Sequence, residues 1–233
     1  MKKFKHSEIT PEKIYNKRRS FIKSMGYGLS AFTLSSVPLI NAKASNLNEP
    51  TSYKDITTYN NYYEFGTSKK DPNKNSQNFK TSPWNITVEG EVENPISLSM
   101  EEITEMFISE ERVYRLRCVE GWSMVIPWMG FSLNQLLSKV TFTSKAKFVE
   151  FESVYDPEQM RGQKYPVLKW PYKEGLRIDE AMHPLTTVVT GLYNKKLPNQ
   201  NGAPLRIFLP WKYGFKSAKA IVKIKLVEKM PTS

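Results

Sequence analysis

The chain has 233 residues, 39% of them hydrophobic, and a formal net charge of +11 from 34 Lys and Arg against 23 Asp and Glu. That length and apolar content support a domain with a real core. One cysteine, Cys118, excludes an internal disulfide, and with His6 and His183 as the only histidines the chain also lacks the ligands for a Cys/His zinc site or a bis-histidine haem.

The N-terminus is the first legible segment. Arg18-Arg19-Ser20-Phe21-Ile22-Lys23 precedes a weakly apolar run, Ser24 to Ile40, and then Ala42-Lys43-Ala44. A paired-arginine basic region, a short apolar region and a small-x-small cleavage site predict a twin-arginine export signal over 1–44, leaving 45–233 as the exported domain. A membrane anchor fits poorly, because a spanning helix needs about 20 predominantly apolar residues, and this run is broken by Ser24, Gly26, Gly28, Ser30, Thr33, Ser35 and Ser36. The twin-arginine route carries folded proteins, so it suits a domain that loads a cofactor before export to the periplasm. Removing the leader takes away nine Lys and Arg and two acids, which leaves 25 against 21, or +4. With no basic patch interleaved with aromatics, no nucleic-acid partner is expected.

Beyond the leader, Ser45 to Ser82 reads as polar and irregular, with Asn60-Asn61-Tyr62-Tyr63-Glu64-Phe65-Gly66 at its centre. Trp84 to Val92 alternates apolar and polar residues as a half-buried strand does. Ser99-Met100-Glu101-Glu102 is a capping box opening a helix through Met106, and Ser132-Leu133-Asn134-Gln135 is a second one. Strands are expected at Val113 to Cys118, Phe148 to Phe151, Thr186 to Leu192, Leu205 to Leu209 and Ala220 to Val227, with Lys223 and Lys225 on the wet face of the last. Ile178 to Met182 reads as a helical turn or two. Strands outnumber helices without regular alternation, so the fold class is α+β, mainly β, without doubly wound parallel topology.

Two segments carry chemistry. Cys118 ends a strand in Tyr114-Arg115-Leu116-Arg117-Cys118-Val119-Glu120-Gly121-Trp122-Ser123, where Arg115, Arg117 and free turn amides favour a thiolate. A lone cysteine is ordinarily a small buried hydrophobe. One thiolate fixes a metal only when a cofactor brings the other ligands, as haem and molybdopterin do; a nucleophilic cysteine is the third option. The second segment joins Asn201-Gly202-Ala203-Pro204-Leu205-Arg206 to Pro210-Trp211-Lys212-Tyr213-Gly214-Phe215-Lys216-Ser217-Ala218-Lys219. Arg206, Lys216, Lys219 and loop amides suit an anion of phosphate and pterin character. The plain alternative is a solvated basic hairpin edge.

Together these segments, with the twin-arginine leader and Tyr59 to Gly66, resemble the sulfite-oxidase-fold molybdopterin oxidoreductases, and among them the catalytic subunits of periplasmic protein-methionine-sulfoxide reductases. The resemblance implies a sulfite-oxidase-type molybdopterin-binding fold, with Cys118 as thiolate ligand to one molybdenum per chain. It implies cofactor contacts from Asn60, Tyr63, Glu64, Ser153, Asn201, Arg206, Ser217, Ala218 and Lys219. Ser153 stands where the family usually has threonine, and Ser217-Ala218-Lys219 where it often has Gly-Ile-Lys. Family members continue beyond the strand at Ala220 to Val227, so the C-terminus is short by comparison.

The implied activity is oxygen-atom transfer from methionine sulfoxide in oxidised periplasmic proteins to molybdenum. Electrons are expected from a membrane-embedded haem-containing subunit. Tyr63, Trp122 and Trp211 are candidate rim residues, with core packing the alternative for each. Three other functions are open. A sulfite oxidase or dehydrogenase of the same fold wants arginines just after the ligand cysteine, and Val119 to Met124 contains none. A cofactor-free secreted binding protein has no need of Cys118 or Arg206. A thiol-dependent enzyme lacks a resolving cysteine and an assured base, His183 being the one histidine left.

Overall fold

In the computed structural model, which describes residues 49–232, the stretch expected to be irregular holds two short helices, α1 (Tyr53–Thr58) and α2 (Asp71–Asn75). The export motif and the cleavage site after Ala44 lie outside the described residues. Ser52 caps α1 by accepting from Asp55 N at 3.1 Å, and Pro72 sits in the first turn of α2, where a missing N–H costs nothing. Asn73 then ties the two together by donating to Thr57 O at 2.9 Å. None of the helices among the described residues is long and apolar enough to cross a membrane.

The rest is built from strands: β1 (Asn85–Gly90), β2 (Ile96–Ser99), α3 (Met100–Met106), β3 (Glu110–Arg117), β4 (Ser123–Ser132), α4 (Leu133–Leu137), β5 (Phe148–Ser153), β6 (Lys173–Arg177), α5 (Ile178–Ala181), β7 (Thr187–Leu192), β8 (Lys195–Lys196), β9 (Arg206–Phe208) and β10 (Ile221–Val227). The expected strands are all present, with ends shifted by a few residues. One sheet runs β2-β1-β10-β5-β6; the other runs β3-β4-β7-β8, with β9 also on β7. The β1–β10 pair is parallel and the remaining pairs are antiparallel, so the mainly β, α+β expectation holds.

Local chemistry explains the helix starts. At α3 the capping box closes as expected, with Ser99 accepting from Glu102 N at 3.1 Å and Glu102 accepting from Ser99 N at 2.7 Å. The second capping box does not form. Ser132 precedes α4 but its hydroxyl donates to Pro184 O at 2.5 Å and accepts from Arg112 at 3.0 Å, so tertiary partners outcompete the cap.

The main core gathers Ile86 and Val88 of β1, Val149 and Phe151 of β5, Ile224 and Leu226 of β10 and the leucines of α4. A second cluster lies on the other face of the β3–β4–β7 sheet, formed by Leu116, Met124, Ile126, Trp128, Val189 and Phe208 with Ile56 of α1. Adjacent residues split between the two: Val188 and Ile207 join the main core, Val189 and Phe208 the second, as period-2 side-chain alternation requires. Three irregular segments, 59–66, 199–205 and 211–220, meet over this second cluster and form the site.

Candidate active site

Cys118 follows β3 directly, at the tip of the β3–β4 hairpin, whose last paired residues are Arg117 and Ser123. Cys118 N donates to Trp122 O at 2.9 Å and Gly121 N donates to Cys118 O at 3.1 Å, closing a tight turn. The cysteine is buried and free, and it lines a cleft of about 340 Å³. That volume lies within the roughly 300–1,000 Å³ of small-molecule sites.

The cleft gathers most of the expected residues: Asn60, Tyr63 and Glu64 from the first loop, Asn201 and Arg206 from the segment entering β9, and Lys219 before β10. Gly202 permits the approach, since at φ +104° a left-handed turn follows Asn201 and an added Cβ would press on the Lys219 side chain at 2.9 Å. Arg206 bridges to Lys219 in antiparallel fashion, and its guanidinium lies 5.1 Å over the Trp128 ring. Because Arg206 is buried, the solvated-edge alternative does not hold.

Polar groups here are only half satisfied. Asn60 and Asn201 both donate to Ile56 O, at 2.9 and 3.0 Å, which leaves both side-chain carbonyl oxygens without a partner. Arg206 donates from Nη1 to Asn201 O at 3.0 Å but its Nε is unpartnered, as is Trp128 Nε1. A buried unpaired polar group costs about 1–3 kcal/mol, so the cavity is shaped for a ligand that offers donors to the amides and an anion to the guanidinium. A phosphorylated pterin fits both demands, and Cys118 supplies the soft donor its metal needs. Among the described residues no group of three or more Cys, His, Asp and Glu is placed to hold a metal alone.

Electrostatics follow from burial. Desolvation, reinforced by Arg206, lowers the Lys219 pKa to about 8, while Glu64, Glu174 and Cys118 pull the other way. Burial lowers Arg206 to about 10 and raises Glu64 above the usual carboxylate range, the latter opposed by Lys219. Near the hairpin tip, Arg115 donates to Ser123 Oγ at 3.1 Å and Arg117 to Pro210 O at 3.3 Å.

The remaining expected cofactor contacts lie outside the cleft lining. Ser153, Ser217 and Ala218 are buried but do not line the cleft; the two serine hydroxyls have no hydrogen-bond partner, and Ala218 packs in the main core. Lys216 forms an ion pair with the buried carboxylate of Glu174, so it is not poised for a phosphate. Tyr63 and Trp122 lie at the cleft, whereas Trp211 packs edge-on against His183 at 4.7 Å. Trp128, Tyr172 and Gln200 were not anticipated as lining residues. Only Trp128 had a usable signal, an aromatic face available to a buried guanidinium.

Sequence and structure comparisons agree with this site. The family described as "Oxidoreductase molybdopterin binding domain" matches residues 73–233. The protein-methionine-sulfoxide reductase catalytic subunit MsrP of Xanthomonas axonopodis pv. citri is 52% identical over 97% of this chain and 74% of its own length. Its counterpart from Burkholderia mallei is 49% identical over 97% of this chain and 73% of its own length. The sulfane dehydrogenase SoxCD from Paracoccus pantotrophus superposes with a TM-score of 0.57 over 72% of this chain and 43% of that one, at 13% identity, a likeness of fold. With a free cysteine at a hairpin tip, a cavity lined by the cations Arg206 and Lys219 beside it and relatives at this identity, the chain belongs to the protein-methionine-sulfoxide reductase catalytic subunit family of molybdopterin-binding oxidoreductases.

Proposed function

We propose that this chain reduces methionine sulfoxide in periplasmic proteins, using a molybdopterin cofactor loaded before twin-arginine export of residues 45–233. The observation that carries the cofactor assignment is the set of unpartnered buried atoms, Asn60 Oδ1, Asn201 Oδ1, Arg206 Nε and Trp128 Nε1, in one cleft with Cys118. The substrate assignment comes from the relatives.

The cofactor, when bound, supplies oxygen-atom transfer. Cys118 would hold its molybdenum as a permanent ligand. Asn60 and Asn201 would accept from the pterin, Arg206 and Lys219 would meet its phosphate, and Tyr63 and Glu64 would close the near wall. Ser153, Ser217 and Ala218 enter this assignment by resemblance, with two unpartnered hydroxyls in its favour. Electrons come from a separate subunit, for which the resemblance supplies a membrane-embedded haem protein.

The alternatives lose ground on geometry. Sulfite, a small dianion, wants a free cation beside Cys118; Lys69, beside the hairpin tip, is paired to Glu120 at 2.9 Å, and Arg206 and Lys219 are the cations assigned to the cofactor's phosphate. A thiol-dependent enzyme wants a base near Cys118, and His183 packs on Trp211 away from the cleft lining. Elemental analysis of the exported protein, with electron paramagnetic resonance of wild type and Cys118→Ser, tests the reading. One molybdenum per chain and a signal altered by the substitution are expected. Activity in a metal-free preparation would overturn it.

A further inference from the structure

Glu174 is the least expected side chain near the site. On β6 it shares the inward face with Leu176, a core position, yet it is a carboxylate with 1% exposure. Apolar residues at such a position are usually as stabilising as a buried ion pair or more so, so a charge kept there points to a geometric role. Its partners indicate which. One oxygen pairs with Lys216 Nζ, the other lies 2.8 Å from the Tyr172 hydroxyl. That hydroxyl is also 3.0 Å from Phe215 O.

Lys216 and Phe215 belong to the turn Gly214–Lys216, and Gly214, Phe215 and Tyr172 all line the cleft that holds Cys118. The turn's own backbone bonds run from Lys216 N to Tyr213 O at 3.0 Å and from Ser217 N to Gly214 O at 3.1 Å, and Tyr213 before it bridges to Arg117. Glu174 adds a side-chain tie from this turn to a sheet strand, from behind the cleft wall. The turn leads straight into Ser217 and Lys219, so together with the Arg206–Lys219 bridge it frames the backbone of Lys219.

We propose that Glu174 is a positioning residue for the cofactor, holding the Gly214–Lys216 turn through Lys216 and Tyr172 at the spacing that a bound molybdopterin requires. The inference rests on the cofactor reading above. Glu174 touches neither metal nor pterin; it acts through the turn.

Three variants separate this from a plain core role. Glu174→Gln keeps an acceptor for Tyr172 but removes the charge facing Lys216, Lys216→Met removes the other half of the pair, and Tyr172→Phe removes only the hydroxyl. Molybdenum content of the exported protein, the rate of molybdenum release on dilution, and the melting temperature of cofactor-free protein are measured for each. Supporting partners behind a metal or cofactor site typically change retention by about 10–100-fold. Glu174→Gln and Lys216→Met are expected to speed release at least about tenfold, to similar extents and without compounding in the double variant. Tyr172→Phe should shift release in the same direction by less, and it carries the test should Glu174→Gln fail to fold. A lowered melting temperature with wild-type molybdenum content and release in these variants would show a core ion pair only and overturn the inference. Wild-type protein without molybdenum would instead remove the cofactor reading, and the inference with it.

Discussion

A single methyl group on Gly162 offers a severe test of how the first loop is held. Gly162 lies in the short 3-10 turn Arg161–Lys164 and donates its N–H to Glu64 O at 2.7 Å. A Cβ there would collide with the Tyr63 carbonyl oxygen and lie 2.8 Å from the carbonyl carbon and oxygen of Glu64. All three obstacles are backbone atoms, which cannot rotate away. Since ordinary contact begins near 3.4 Å, Glu64 must retreat by about 0.6 Å and the Tyr63 carbonyl oxygen by more than twice that. Overpacking of this kind costs about 1–3 kcal/mol, and losing the Gly162–Glu64 hydrogen bond adds about 1 kcal/mol. At roughly 2–4 °C per kcal/mol for a domain of this size, Gly162→Ala should melt about 4–16 °C below wild type. Tyr63 and Glu64 line the cleft, so molybdenum occupancy should fall as well. Thermal melts by circular dichroism with parallel metal analysis decide the matter. A variant that melts within a degree of wild type and keeps full molybdenum would refute the packing argument.

Two further outcomes follow from the charges. Arg206 is buried and forms no ion pair among the described residues, its contacts being Asn201 O and the Trp128 ring. Arg206→Met should therefore leave the cofactor-free protein as stable as wild type, or up to about 4 kcal/mol more so, while molybdenum retention drops; a large loss of melting temperature would mean that the guanidinium is structural. Burial raises the Glu180 pKa, but its hydrogen bond from Lys212 at 2.6 Å, the Arg177 N–H and the charges of both cations together outweigh that and leave it below the ordinary 4.5. A carboxylate lowered on folding contributes stability above its ordinary value and loses it as the pH falls through the folded one. Urea midpoints should thus drop more steeply below pH ~4.5 in wild type than in Lys212→Met, by about 0.5–1 kcal/mol at most for so exposed a pair. Parallel acid limbs would show that the pair contributes nothing.

What the sequence revealed depended on whether one face of an element was wet. β1, β5 and β10 alternate because their outer faces carry Glu89, Glu152, Lys223 and Lys225 in solvent, and these strands were legible. β4 was not: Met124, Val125, Ile126 and Trp128 are all buried, so the strand has no alternation to show, and Pro127 argues against a strand in any case. β6 was hidden by Glu174 and Gly175 at core-facing and crowded positions. At the site, Cys118, Asn60, Asn201, Arg206 and Lys219 were named in advance because local motifs mark them. Trp128 and Tyr172 carry no local mark, because only the tertiary fold brings β4 of one sheet and the residue before β6 of the other to the same cleft. The ion pair of Lys216 was hidden for the same reason: its partner Glu174 lies on β6, far away in sequence.

The strand order β2-β1-β10-β5-β6 puts β10, the last strand in chain order, at the centre of its sheet. A chain still emerging from the ribosome has no middle for that sheet until residue 227 is free, and β1 and β5 must wait with their inner faces uncovered. Arg206 and Lys219 are translated only shortly before β10. The pocket walls that Arg206 and Lys219 provide therefore cannot be braced by a completed sheet before residues 221–227 are available, so a cofactor can be held only by a chain that has added this strand.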